Sequence, residues 1–159
     1  MNATTAPAPL AVDDLNRRVL RLIDSIHSRQ DLAPSNIQRL TGVDVEVNAQ
    51  DPSLYGIAGP LAGQGRYSLA SSHKNAAGEV DSLLFSFEPG DGAAPCAKVD
   101  DYRTALSAAG FTGTHMPGGH RGRESWYFTR DGVSVNVHVR DAHGAPEACV
   151  ASLVIGVYQ

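Results

Sequence analysis

Charge is scarce in this chain, and so are aromatics. Of its 159 residues, 19% are charged and 6% aromatic, with one tryptophan, two methionines and two cysteines. The charge leans negative, 13 Lys+Arg against 17 Asp+Glu, for a formal net charge of -4. Sequence-independent nucleic-acid binding needs a basic footprint, which is missing here. No uncharged apolar run approaches the roughly 18 residues that a membrane-spanning helix requires. Hydrophobic residues still make up 42%, which is globular composition and argues against disorder. A chain of this length suits one domain and buries roughly 70% of the surface it exposes when unfolded.

The motifs of common chemistries are missing too. Gly63-Gln64-Gly65 is only a Gly-x-Gly, not a dinucleotide fingerprint, and no phosphate loop, HExxH or GxSxG occurs. No cofactor is implied. His115 and His120 stand five apart across a Gly-Gly pair and, with His138 or His143, contain the residue type for a metal. No spacing fixes their geometry, so no metal site is expected. Asp100-Asp101 open a helix, where their charge suits the helix dipole.

Cys96 and Cys149 fit no Cys-x-x-Cys or zinc spacing. Two readings stand: reduced core thiols, or one structural disulfide. Position favours the bridge, because Cys96 precedes a helix and Cys149 opens a strand, both element boundaries. It would close a loop of roughly 54 residues, worth about 4 kcal/mol in the chain-entropy model. A disulfide implies an oxidising compartment, periplasmic or extracellular. The opening segment 1–12 is small, Pro/Ala-rich and uncharged up to Val12. It reads as a flexible start to a mature exported protein whose precursor carries a signal or lipoprotein leader.

The rest, 13–159, reads as a single domain. Asp13 to Arg29 is a helix on the stripe Leu15, Val19, Leu22, Ile23 and Ile26. Pro34 starts a short second helix that Gly42 stops. Val43, Val45 and Val47 alternate with polar residues as in a half-buried strand. Residues 49–64, rich in Gly and Pro, read as a loop containing Tyr55. Sixteen such residues is long for a compact domain, so the segment is either functional or contains an undetected element. Two strands follow, 66–72 and 80–88, then a break at 89–95, a helix over 98–109 and a loop from Thr112 to Gly122. Asp131-Gly132 marks a tight hairpin between strands 124–130 and 133–141, and Cys149 to Tyr158 is the last strand.

The predicted order is α-α-β-β-β-α-β-β-β, an α+β fold with helices packed on one face of an antiparallel sheet. Segments 13–92 and 93–159 echo each other in layout without repeating in residue identity. The other sheet face is polar but lightly charged, suited to a covering partner.

One stretch is not explained by folding alone. His115 to Arg123 (HMPGGHRGR) concentrates His115, His120, Arg121 and Arg123, with Met116, in a Gly-rich segment of an acidic protein. Arginine suits bidentate recognition of carboxylates, so a basic lip against an acidic surface is one use, and a solvated loop is the other. Tyr55 is a candidate second contact, since tyrosine is enriched at interface centres.

The amphipathic opening helix, the Pro34 to Gly42 helix and stop, and the sheet ending in Trp126 and Cys149 together resemble small exported immunity and inhibitor proteins of Gram-negative bacteria. The layout is also similar to that of beta-lactamase inhibitory protein, each half of which packs a helix pair on an antiparallel sheet; here the second half has one helix. The resemblance implies a periplasmic, non-enzymatic protein that occludes the active site of a secreted antibacterial effector such as a cell-wall hydrolase. The alternatives are an envelope accessory lipoprotein and a small enzyme using His120 or His138.

Overall fold

Leu15, Val19, Leu22 and Ile23 recur at helical spacing, and the first helix, α1 (Val12–Ser25), buries all four completely. The structure is a computed structural model and describes residues 7–63, 65–89, 96–118, 124–140 and 148–158. α1 stops at Ser25, short of the expected Arg29, because a carboxylate captures the next backbone donors. Asp31 Oδ2 accepts from the N–H groups of His27 at 2.8 Å and Ser28 at 3.0 Å, and a 3-10 turn (Arg29–Leu32) begins there. α2 (Pro34–Thr41) starts on its proline and ends at Gly42, whose φ of 71° is the left-handed conformation that glycine adopts without a Cβ penalty.

Eight strands follow: β1 (Glu46–Val47), β2 (Tyr55–Pro60), β3 (Gly65–Lys74), β4 (Val80–Pro89), then α3 (Val99–Ala108) and β5 (Thr112–Met116), β6 (Ser125–Arg130), β7 (Val133–Arg140) and β8 (Cys149–Val157). The fold is α+β, and every strand pair is antiparallel. Each half thus contributes four strands rather than three. The segment read as a loop over 49–64 contains β2, and the start of the 112–122 loop is β5.

α3 ends as its sequence predicts. Phe111 N–H reaches the Leu106 carbonyl and Gly110 N–H the Ser107 carbonyl, the paired bonds of a Schellman motif. Asp131 and Gly132 carry φ values of 46° and 83°, the two positive angles of the type I′ turn expected between β6 and β7.

The sheet order is β1-β2-β3-β4-β8-β7-β6-β5. Each four-strand meander runs from an edge inward to the centre, so the order mirrors itself about the β4–β8 pair, where Phe85 faces Leu153 and Leu83 faces Ile155. Directly opposed residues share a face. One face therefore presents Ile57, Leu69, Phe85, Leu153 and Val137 in a single row across five strands. All five are buried, in one cluster with residues of all three helices. In β8 the bulge opposite His138 and Val139 shifts the buried residue to Val150, where simple alternation from Leu153 favours Ala151.

One polar pair inside this core joins two distant elements. The Tyr102 hydroxyl of α3 donates to Asn16 Oδ1 of α1 at 2.7 Å, and both residues are buried. Burial pushes the Tyr102 phenol far up, with Asp101 adding to it, so it stays a neutral donor. Replacing Tyr102 by Phe strands the Asn16 oxygen, and a loss of about 1–3 kcal/mol is expected in urea unfolding. A change below about 0.5 kcal/mol would show that Asn16 has found another donor.

Arg130 ties the far end of β6 down. Its guanidinium donates to Asp24 Oδ1 and to the Ala109 carbonyl, each at 2.9 Å, and lies 4.5 Å over the Phe111 ring.

Candidate functional site

The two cysteines are joined: Cys96 and Cys149 form a disulfide, 53 residues apart in sequence. It sits where two chain segments already run together, since Val150 N–H donates to the Ala97 carbonyl at 2.7 Å and Val99 N–H to the Ala148 carbonyl at 2.9 Å. The bridge fixes the entrance of α3 against the central strand β8. No helix among the described residues is long and apolar enough to cross a membrane. Both observations are compatible with an exported protein.

The candidate surface is the sheet face opposite the core. Its register places Glu46, Gly56, Ala70, Leu84, Val154, Asn136, Tyr127 and Thr114 in one continuous row across all eight strands. The neighbouring row is Ala58, Ser68, Ser86, Ser152, His138, Ser125 and Met116. All of these except buried Ser125 are half-buried or exposed. Glu46, at the far edge, is the only carboxylate or Lys/Arg in either row. Within this small, hydroxyl-rich surface, three large apolar side chains stand clear: Leu84 (37% exposed), Tyr127 (39%) and Met116 (49%). Large apolar and aromatic side chains set among small uncharged ones are the composition found at the cores of protein–protein interfaces.

The sequence candidates distribute unevenly over this surface. Met116 lies on it. His115 is in the same strand but points to the core side, opposite Trp126; its Nε2 is 2.7 Å from Glu124 Oε1 and its ring 4.6 Å from that of Trp126. The Arg103 guanidinium of α3 lies 3.9 Å from the Trp126 ring centroid, a cation–π contact. His115 and Met116 therefore belong to a strand rather than to a loop. Tyr55 was expected in a contact loop. It is instead buried on the core side of β2, where its hydroxyl donates to the Leu32 carbonyl at 2.7 Å, and it has no surface to offer a partner. His120, Arg121 and Arg123 lie outside the described residues, as does His143.

Leu84, Tyr127 and the serine row escaped the sequence reading. The only signal that could have revealed them was strand register, which orders residues from six or more separated segments.

Among the described residues no group of three or more His, Cys, Asp and Glu is placed to hold a metal ion. An open cleft of ≈ 1050 Å³ runs beside β2, with Leu10, Arg18, Val43, Val47 and Tyr67 in its walls. Arg18 is already engaged, donating to the Thr41 carbonyl at 2.5 Å and pairing with Asp14 at 3.0 Å. Its hydrogen bond holds the Asp14 carboxyl below the usual range, and burial holds the Tyr67 phenol above its own.

Compared with known proteins, the chain matches no family model, no curated protein and no solved structure.

Proposed function

We propose that this is a periplasmic binding protein of the immunity class, which neutralises a secreted antibacterial effector by covering its active site with the outer sheet face. The observation that carries this reading is the pair of rows of mostly small, uncharged residues from which Leu84, Tyr127 and Met116 stand out. Apolar and aromatic posts on a lightly charged surface are the composition of an interface core. The sheet is a rigid platform, and the disulfide supports export to a compartment where effectors arrive. The sequence between β5 and β6 adds His120, Arg121 and Arg123, whose cations suit the carboxylates of a hydrolase cleft.

The test uses the oxidised protein as bait in an extract of the source bacterium, followed by an activity assay on the captured partner. One stoichiometric partner whose hydrolase activity the protein blocks at 1:1 is expected. The variant Leu84→Arg/Tyr127→Ala alters only exposed side chains, so its melting temperature is expected to hold while affinity falls at least about tenfold. Equal inhibition by this variant, or no captured partner at all, would overturn the assignment to this face.

A further inference from the structure

The two edges of the sheet are not alike. β1 is two residues long, contains Glu46, and is followed along the β2 edge by Leu10, whose N–H donates to the Pro60 carbonyl at 3.2 Å. A short, charged edge covered by other chain is the usual guard against pairing with a second sheet. Among the described residues β5 has no such guard. Its five residues, Thr-Gly-Thr-His-Met, are all exposed, contain no Lys, Arg, Asp, Glu or Pro, and pair with β6 without a bulge. No described strand lies on its other side.

The direction of its free backbone groups follows from the ladder. Val139 N–H donates to the Glu124 carbonyl, and Ser125 opposes His138, which makes Ser125–His138 a non-hydrogen-bonded pair. Trp126 therefore bonds to β7, and Tyr127 turns its backbone N–H and C=O toward β5. Tyr127 opposes Thr114, so Thr112, Thr114 and Met116 bond inward to β6. Gly113 and His115 direct two N–H and two C=O groups outward.

We propose that β5 is a homodimer edge, pairing antiparallel with β5 of a second copy about a two-fold axis at Thr114. The strand is self-complementary in that register. Each Gly113 meets the second copy's His115 in a bonded pair, which satisfies all four outward groups on each side. Thr114 meets Thr114 in the close non-bonded pair, where threonines pack and hydrogen-bond well. Thr112 meets Met116, and each His115 ring faces a glycine rather than a second imidazole. The eight-stranded sheets join into one of sixteen, with the two outer faces side by side. The interface is small, so the dimer is weak and concentration-dependent. This pairing does not depend on what the outer face binds.

Sedimentation equilibrium of the purified oxidised protein tests it. The apparent mass is expected to climb from 16.8 kDa toward twice that value as concentration rises to about 1 mM. In Thr114→Glu and in Thr114→Lys, like charges oppose at the axis, and each dissociation constant is expected to rise about fivefold or more. An equimolar mixture of the two places opposite charges there and should associate more tightly than either alone, an outcome that misfolding cannot mimic. A constant 16.8 kDa mass, undiminished association in both variants, or a mixture that behaves as its components would each overturn the proposal.

Discussion

Replacing Cys96 and Cys149 together by alanine should lower the unfolding temperature by about 8–16 °C. Cross-linking residues 53 apart removes chain entropy worth about 4 kcal/mol from the unfolded state. For a protein of this size each kcal/mol moves the midpoint by about 2–4 °C. Replacing both cysteines avoids leaving a reactive thiol. The Val150–Ala97 and Val99–Ala148 backbone bonds remain in the variant, so its fold should be retained. Thermal unfolding by circular dichroism reads the effect, and a reducing agent should reproduce it in the native protein. A shift below about 2 °C would mean that the unfolded chain is already constrained without the bridge.

The second large effect is expected at the centre of the sheet. Phe85 is fully buried on β4, between Leu69 of β3 and Leu153 of β8, with the Phe87 ring edge-on at 4.6 Å. Truncating it to alanine removes the transfer energy of the ring and leaves a cavity that two flanking strands cannot close, for a cost of about 3–5 kcal/mol. Phe85→Leu keeps most of the volume and should cost less than about 2 kcal/mol. Urea unfolding distinguishes the two. If both variants lose equal stability, lost ring geometry rather than lost volume governs the site, and the cavity account fails.

The elements legible in the sequence are those whose pattern is local. The α1 stripe, the glycine stops at Gly42 and Gly110, the Asp131-Gly132 hairpin and the alternating β7 all announce themselves within a dozen residues. The valine alternation from 43 to 47 is also local, but it overstates the strand. Val43 N–H goes to Thr41 Oγ1 and Val45 N–H to the Gln38 side chain, so the preceding helix takes donors that a longer strand would use.

β2 was concealed by its glycines, which read as turn residues. Their true role is close approach. A Cβ on Gly56 would lie 2.4 Å from the Leu69 carbonyl oxygen, and one on Gly59 would lie 2.7 Å from the Tyr67 hydroxyl. In β5, a Cβ on Gly113 would lie 2.6 Å from the Phe128 ring. These requirements come from the neighbouring strand, and nothing next to the glycine in sequence records them. The outer face was illegible for the same reason: Leu84 and Tyr127 come into one row only through the β4–β8, β8–β7 and β7–β6 pairings.

That mirrored strand order also has a kinetic meaning. Within each meander, strands are joined by short connections and can pair early, at little cost in loop closure. The β4–β8 pair is different, because the whole second meander separates its partners along the chain. Joining them is the step of highest contact order, and the one most exposed to rival pairings. Cys96 lies just beyond β4 and Cys149 begins β8. When the chain refolds with its disulfide intact, the Cys96–Cys149 bridge keeps the approaches to these two strands close together.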